Sequence, residues 1–322
     1  MTGSVLKGMS NLVDSCEQRF GDLNGKVVLD IGCNDGSLLN FFEKKGCKTI
    51  GIEPTGAAHD SRHETINMYL DQESTSKVLE RVGQLDIITF TNVFAHIEDL
   101  NGMLENLKRL IGPNTKLVIE NHYLGAVLET KQFDTFYHEH PRTYSKESFD
   151  VIASKLGLHL TDFQFVNRYG GNIRAFISSE KTKNTNKVDE SNFLDKFLKM
   201  ASDVDTWKTE AREYFMGLVA NHGKLRAKAF PGRATILINM LGLNEEHISA
   251  VYEITGSIKV NHYVPGTRIP ILPEVELYKQ DLTQPIVNLA WHLPTEVRAN
   301  LASHGYTGEV IDIISENIAE QV

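Results

Sequence analysis

The stretch Lys26–Thr55, KVVLDIGCNDGSLLNFFEKKGCKTIGIEPT, decides the fold. VVLDI is an apolar run short enough for a buried strand, and Gly32 and Gly36 then mark a turn. SLLNFFEKKG has apolar residues at helical spacing, and a second apolar run ends at Glu53. Strand, turn, helix and strand form the βαβ opening of a doubly wound sheet, because two parallel strands need a crossover between them. Outward from it the alternation continues through LDIITFTNVFAHI, the helical IEDLNGMLENLKRLI and the strand KLVIEN, so a parallel α/β sheet is expected. Upstream, residues 1–25 read as an amphipathic helix and a turn. Downstream, residues 121–150 have no helical or strand period and read as a loop over the sheet's active edge. FDVIASKLGLHLTDFQFVNRYGGNIRAFISS then supplies a helix and two late strands. The polar run KTKNTNK is a linker, and residues 189–221 form a long amphipathic helical stretch ending near Gly223. From residue 224 a second alternation runs to the end of the chain. The expected organisation is a first domain over 1–180, a linker and long helix over 181–223, and a smaller α/β domain over 224–322.

Composition excludes several classes of function. The chain has 322 residues and a formal charge of −9, which disfavours nonspecific binding to nucleic acid or an anionic membrane. No apolar run approaches the roughly 18–20 residues that span a bilayer, and MTGSVLKGMSNLVDSCEQRF lacks the apolar core of a secretory signal. A cytoplasmic location is therefore expected. Cys16, Cys33 and Cys47 form no CxxC pair, which argues against a disulfide framework and a thiolate zinc site, and no metal is expected. Nothing in the sequence sets an oligomeric state.

The turn after the first strand places Asp30, Gly32, Asn34 and Gly36 where a ligand meets free helix N–H groups, with Asn92 after a later strand. Glu53, ending the next strand, is placed to accept hydrogen bonds from two ribose hydroxyls. The spacing is G-x-x-x-G rather than G-x-G-x-x-G. With an acid just before it, this disfavours a pyrophosphate and favours a zwitterion such as S-adenosylmethionine. The bland alternative is an ordinary tight turn beside a surface glutamate. The pattern resembles the first two motifs of class I methyltransferases, which implies a Rossmann-like doubly wound sheet.

A second stretch is more specific. Residues Phe133–Tyr144 read F-D-T-F-Y-H-E-H-P-R-T-Y, and LDIGCNDGSLL, GIEP, TNVFAHIEDLN, LVIENHYL, YGGNIR, PGTRIPI and LAWHLPTE accompany it in order. Together they resemble the sugar C-methyltransferases that act on nucleotide-linked deoxy-ketosugars, in a form lacking the cysteine-rich zinc-binding module with which members usually begin. The resemblance implies S-adenosylmethionine as cofactor and C-methylation beside the ketone of a nucleotide-linked 4-keto-deoxysugar through an enolate. It implies His140 as the base, Glu139 and Tyr137 beside the sugar, and His96 near the reacting end. Tyr144, Arg168 and Arg174 are the expected substrate contacts. Imidazole suits the task because it titrates near neutrality. Two departures concern the second domain. The family's G-x-G-A-x-x-K-G turn is replaced by Ala229–Ala234, and its usual aspartate is not evident in YEITGSIKVNHYVPG. Two alternatives stay open: O-methylation of a sugar nucleotide or another small metabolite, and a binding protein with a degenerate cofactor pocket. His138 and His140 also have the spacing of two metal ligands on a loop.

Overall fold

A computed structural model of the chain describes residues 3–168, 170–181 and 187–314; Tyr169, most of the KTKNTNK linker and the last eight residues lie outside them. The chain folds as two units. The first holds residues 1–129 and 138–191, the second residues 130–137 and 192–322.

In the first unit, α1 (Gly3–Phe20) precedes β1 (Val27–Ile31), α2 (Ser37–Lys44), β2 (Lys48–Ile52), β3 (Glu64–Ile66), α3 (Gln72–Val82), β4 (Ile87–Thr91) and α4 (Leu100–Leu110). Then come β5 (Lys116–His122), α5 (Leu124–Glu129), α6 (Lys146–Lys155), β6 (His159–Val166) and β7 (Asn172–Ser178). The seven strands lie in the order β3-β2-β1-β4-β5-β7-β6, with β7 antiparallel to both neighbours and the first five strands parallel. This is the class I methyltransferase order. It reverses direction between β1 and β4, and ligands of such sheets bind at that switch point, off the carboxyl ends of the strands. Leu12, Val13 and Cys16 of α1 pack with Leu38, Leu39 and Phe42 of α2 over Val28 and Ile87. Cys33 and Cys47 join the same cluster. Burial pushes the Cys16 and Cys33 thiols up to about 12 and Cys47 to about 11, so all three act as small apolar side chains. Two elements escape the hydrophobic period: β3 has three residues, and α5 is a short helix inside the stretch expected to be loop.

The second unit holds α7 (Phe193–His222), β8 (Leu225–Lys228), α8 (Ala234–Met240), β9 (Ile248–Glu253), β10 (Ile271–Pro273), β11 (Ile286–Asn288), α9 (Pro294–Ser303) and β12 (Val310–Asp312). Its sheet is parallel throughout, in the order β10-β9-β8-β11-β12, with its own switch point between β8 and β11. Gly223 (φ 75°) caps α7 where expected, because glycine takes the left-handed conformation without a Cβ clash. The helix belongs to this unit through fully buried Trp207, Ala211 and Phe215 rather than acting as a spacer. Residues 130–137 also belong here: Phe133 meets Trp207 with ring centroids 5.0 Å apart, and Phe136 meets Phe197 at 5.6 Å. The segment thus leaves one unit, packs in the other and returns, which a contiguous boundary near residue 180 does not foresee. Among the described residues no helix is long and apolar enough to cross a membrane.

Candidate active site

The β1–α2 turn builds the cofactor side. Gly32 (φ 73°) and Asn34 (φ 52°) are both left-handed, and the Gly32 and Cys33 N–H groups donate to the Ile52 carbonyl at 2.8 and 3.1 Å. Glu53 closes the turn: its Oε2 accepts from the Asn34 N–H at 3.0 Å and its Oε1 from the Thr55 N–H at 2.9 Å. Each carboxylate oxygen keeps a second lone pair for a ligand hydroxyl. Asp30 is buried and accepts from Thr89 Oγ1 at 2.7 Å. Burial, opposed by the Thr89 hydrogen bond and aided by the Glu53 charge, raises its carboxyl to about 7. These residues border a cavity of about 1010 Å³ at the switch point, with Asn92, His96 and Met103 across from them and Val5 and Met9 of α1 at its edge. Asn92 is a second non-glycine residue in the left-handed region (φ 56°), and Asn172 Nδ2 donates to its Oδ1 at 3.0 Å. Such backbone strain gathers at ligand sites. Gly36 (φ 76°) does not line the cavity. It sits at the N-terminus of α2, where an added Cβ would lie 2.6 Å from Ser61 Oγ.

Acids at two strand ends, a left-handed turn and apolar walls fit S-adenosylmethionine. If the cofactor binds here, Glu53 would hold its ribose hydroxyls, and Asp30 and the turn would supply polar partners for its charged amino-acid part.

Arg174 is only 1% exposed and does not reach this cavity. Its Nε and Nη2 donate to Glu120 Oε2 at 2.8 and 2.7 Å, and its Nη1 to Ser15 Oγ at 2.8 Å and Asn11 Oδ1 at 3.1 Å. It therefore neutralises a fully buried acid of β5 and ties α1 to the sheet, which removes it from the expected substrate contacts. Arg168 Nη1 pairs with the other oxygen of Glu120 at 3.1 Å, and Arg168 also borders the cofactor cavity. Glu120 escapes the sequence reading. Its signal is an acid inside the apolar run KLVIEN, facing two late arginines.

The histidines gather at the carboxyl ends of β4 and β5. His96, exposed on the 3₁₀ turn Phe94–His96 after β4, lies edge-on to His140 with ring centroids 4.7 Å apart. His122, the last residue of β5, stands 5.7 Å from His140 on another side and is not anticipated from sequence. Arg142 Nη1 donates to the Ile97 carbonyl and holds this loop to the turn bearing His96. Tyr144 is buried; its hydroxyl donates to the Phe94 carbonyl at 3.2 Å and its ring stacks on Phe149. Burial pushes its phenol up to about 12. It is a strut under the 3₁₀ turn rather than a group facing substrate. Tyr137 is carried by the second unit, while His138, Glu139 and half-buried His140 belong to the first. Glu139 is exposed. Among the described residues no group of three or more His, Cys, Asp or Glu side chains is placed to hold a metal ion.

Comparison with known proteins gives the following similarities. Residues 8–162 match a methyltransferase domain family, and residues 166–312 match the C-methyltransferase C-terminal domain family. The C-methyltransferase NovU of Streptomyces niveus is 27% identical over 284 residues, which cover 84% of this chain and 67% of that protein. The ubiquinone biosynthesis O-methyltransferase of Acinetobacter baumannii (strain AYE) is 27% identical over 104 residues, 30% of this chain and 44% of its own. The crystal structure of the magnesium protoporphyrin IX methyltransferase ChlM from Synechocystis PCC 6803 with bound SAH covers 53% of this chain and 83% of its own, at 17% identity and a TM-score of 0.43. The first unit's cofactor cavity and the two domain matches lead to one assignment: the chain is an S-adenosylmethionine-dependent methyltransferase, with a methyltransferase domain over residues 8–162 and a C-methyltransferase C-terminal domain over residues 166–312.

Proposed function

We propose that the enzyme methylates the carbon alpha to the ketone of a nucleotide-linked 4-keto-deoxysugar. The observation that carries this reading is the edge-on pair of His96 and His140, 4.7 Å apart, with His96 bordering the cofactor cavity. The proton on carbon beside a ketone is a weaker acid than a hydroxyl proton, so a carbon nucleophile needs a positioned base beside the methyl donor. Bound S-adenosylmethionine supplies an electrophilic methyl group on a sulfonium. His140 takes the proton from the carbon next to the ketone, and the developing enolate charge is lowered by neighbouring donors. Tyr137 and Glu139 stand beside the sugar, Glu139 orienting the base. Exposed His96 returns the proton to water, so that His140 is neutral for the next turnover.

The second unit supports a nucleoside. Glu253 ends β9 as Glu53 follows β2, and it treats its own turn in the same way: Oε2 accepts from the Phe230 N–H at 2.6 Å and Oε1 from the Ile254 N–H at 2.9 Å. An acid in that position serves a ribose in dinucleotide folds. It supplies the acid that is not evident in the sequence. A charge of −9 supports a small-molecule substrate rather than a nucleic-acid partner.

The test is to incubate the enzyme with methyl-labelled S-adenosylmethionine and a set of nucleotide-linked 4-keto-6-deoxyhexoses, and to read the product by NMR. The proposal expects a methyl group bonded to carbon and resistant to acid. An ether methyl, or no transfer to any of the keto-sugars, would overturn it.

A further inference from the structure

Asp134 opens the segment that ends in the base, yet it belongs to the second unit. Its side chain is wholly buried, and Oδ2 accepts from Trp291 Nε1 at 2.9 Å and pairs with Arg233 Nε at 3.3 Å. Oδ1 has no partner among the described residues. Burial raises the carboxyl's pKa, and Arg233 and Trp291 oppose the rise. The partners come from different places. Arg233 ends the loop after β8, and Trp291 sits in the loop after β11, so the carboxylate joins both loops at the switch point of the second sheet. The Arg233 guanidinium also lies over the Trp291 ring, 5.7 Å from its centroid. A buried charge paired on only one oxygen is a poor stabiliser of a core, where an apolar side chain of equal size often serves as well. Its geometry instead suits holding one segment in one place. Phe133 and Phe136 flank it with ring contacts to Trp207 and Phe197, so the segment is gripped on both sides of Asp134. His140 follows only a short way along the same chain.

We propose that Asp134 is a positioning residue for the base: its carboxylate clamps residues 133–137 to the two switch-point loops of the second sheet and, through the chain, sets where His140 stands. This rests on the reading of His140 as the base.

The experiment uses the full chain loaded with S-adenosylmethionine and labelled with carbon-13 in its histidines. The His140 ring signal is assigned by its loss in His140→Gln. Asp134→Asn keeps the acceptor for Trp291 and discharges the pair with Arg233. The expected result has three parts. The His140 signal moves or broadens. The His63 signal, held at a distance by Thr49 and Asn40, does not. With dTDP-4-keto-6-deoxyglucose as the probe substrate, kcat falls about 10- to 100-fold, within the range seen when positioning is lost, while KM and cofactor affinity change little. Should Asp134→Asn not fold, Trp291→Phe removes only the indole donor and is expected to show the same pattern in smaller measure. An unmoved His140 signal overturns the proposal, and so does a moved signal with wild-type kcat. If the native enzyme methylates no keto-sugar, the functional reading falls; the His140 signal still decides whether Asp134 sets the loop.

Discussion

Glu53 joins two jobs that are usually read apart. It closes the β1–α2 turn through the Asn34 N–H, and in the proposed reading the same carboxylate takes the ribose of the cofactor. Glu53→Ala is expected to weaken S-adenosylmethionine binding by about 1.5–3 kcal/mol, the scale of charge-assisted hydrogen bonds. Calorimetry on the purified variant checks this, and unchanged affinity removes Glu53 from the site. Asp30 allows a test of sign. Its folded pKa of about 7 lies above the ordinary 3.8, so between those values the folded chain holds a proton that the unfolded chain has lost. Stability contributed by this group therefore falls as pH rises through that window. In the cofactor-free protein, Asp30→Asn is expected to lie near the wild type in urea at about pH 4 and to exceed it at about pH 8, the gap opening through the window between them as the wild type takes on the buried charge. Equal stability at both values would show that Asp30 is not desolvated. Asp30, Gly32, Asn34 and Glu53 are legible in the sequence because turn chemistry and strand ends are local. Arg174 is not: it lies in a strand buried on both faces, and nothing local shows that its partner is Glu120, 54 residues earlier in the chain.

At the scale of elements, the β1–α2 turn tests how narrowly the chain is tuned. Gly32 is left-handed, and a Cβ there would collide with the Val93 side chain. Gly32→Ala should cost about 1–2 kcal/mol from backbone conformation alone. It should cost more from the collision and weaken cofactor binding as well. Val93→Ala in the same chain should restore the collision part only. Urea unfolding of the single and double variants separates the two contributions, and full rescue would place the whole cost in the collision. The helices and long strands are legible because their period is carried by many residues. The strands β3 and β10 are bounded by polar residues and prolines and show no apolar run, whereas β11 and β12, also three residues each, sit inside the apolar runs PIVNLAWHL and GEVIDII. Helix α5 lies in the aromatic stretch where ring contacts, not a helical stripe, direct the chain.

At the scale of the molecule, two sheets share one strand order around a switch point, and each has an acid at the end of its second strand that caps its own turn. The second alternation is visible in the sequence, whereas the assignment of residues 130–137 to the second unit is not, because it depends on contacts with Trp207, Phe197, Arg233 and Trp291 that lie far along the chain. Trp207→Ala removes the largest fully buried side chain of the second unit and is expected to cost about 3–5 kcal/mol there. Differential scanning calorimetry should show that loss, while S-adenosylmethionine still binds the first unit with nearly native affinity below the transition. Lost cofactor binding in the folded variant would show that the cofactor site needs the second unit. The central claim is that carbon is the nucleophile and His140 its base, and the rate of methyl transfer by His140→Ala tests it most directly. Removing a general base costs about 100- to 10,000-fold, and the account predicts a fall in that range with cofactor affinity unchanged. Methyl transfer at the wild-type rate would contradict it.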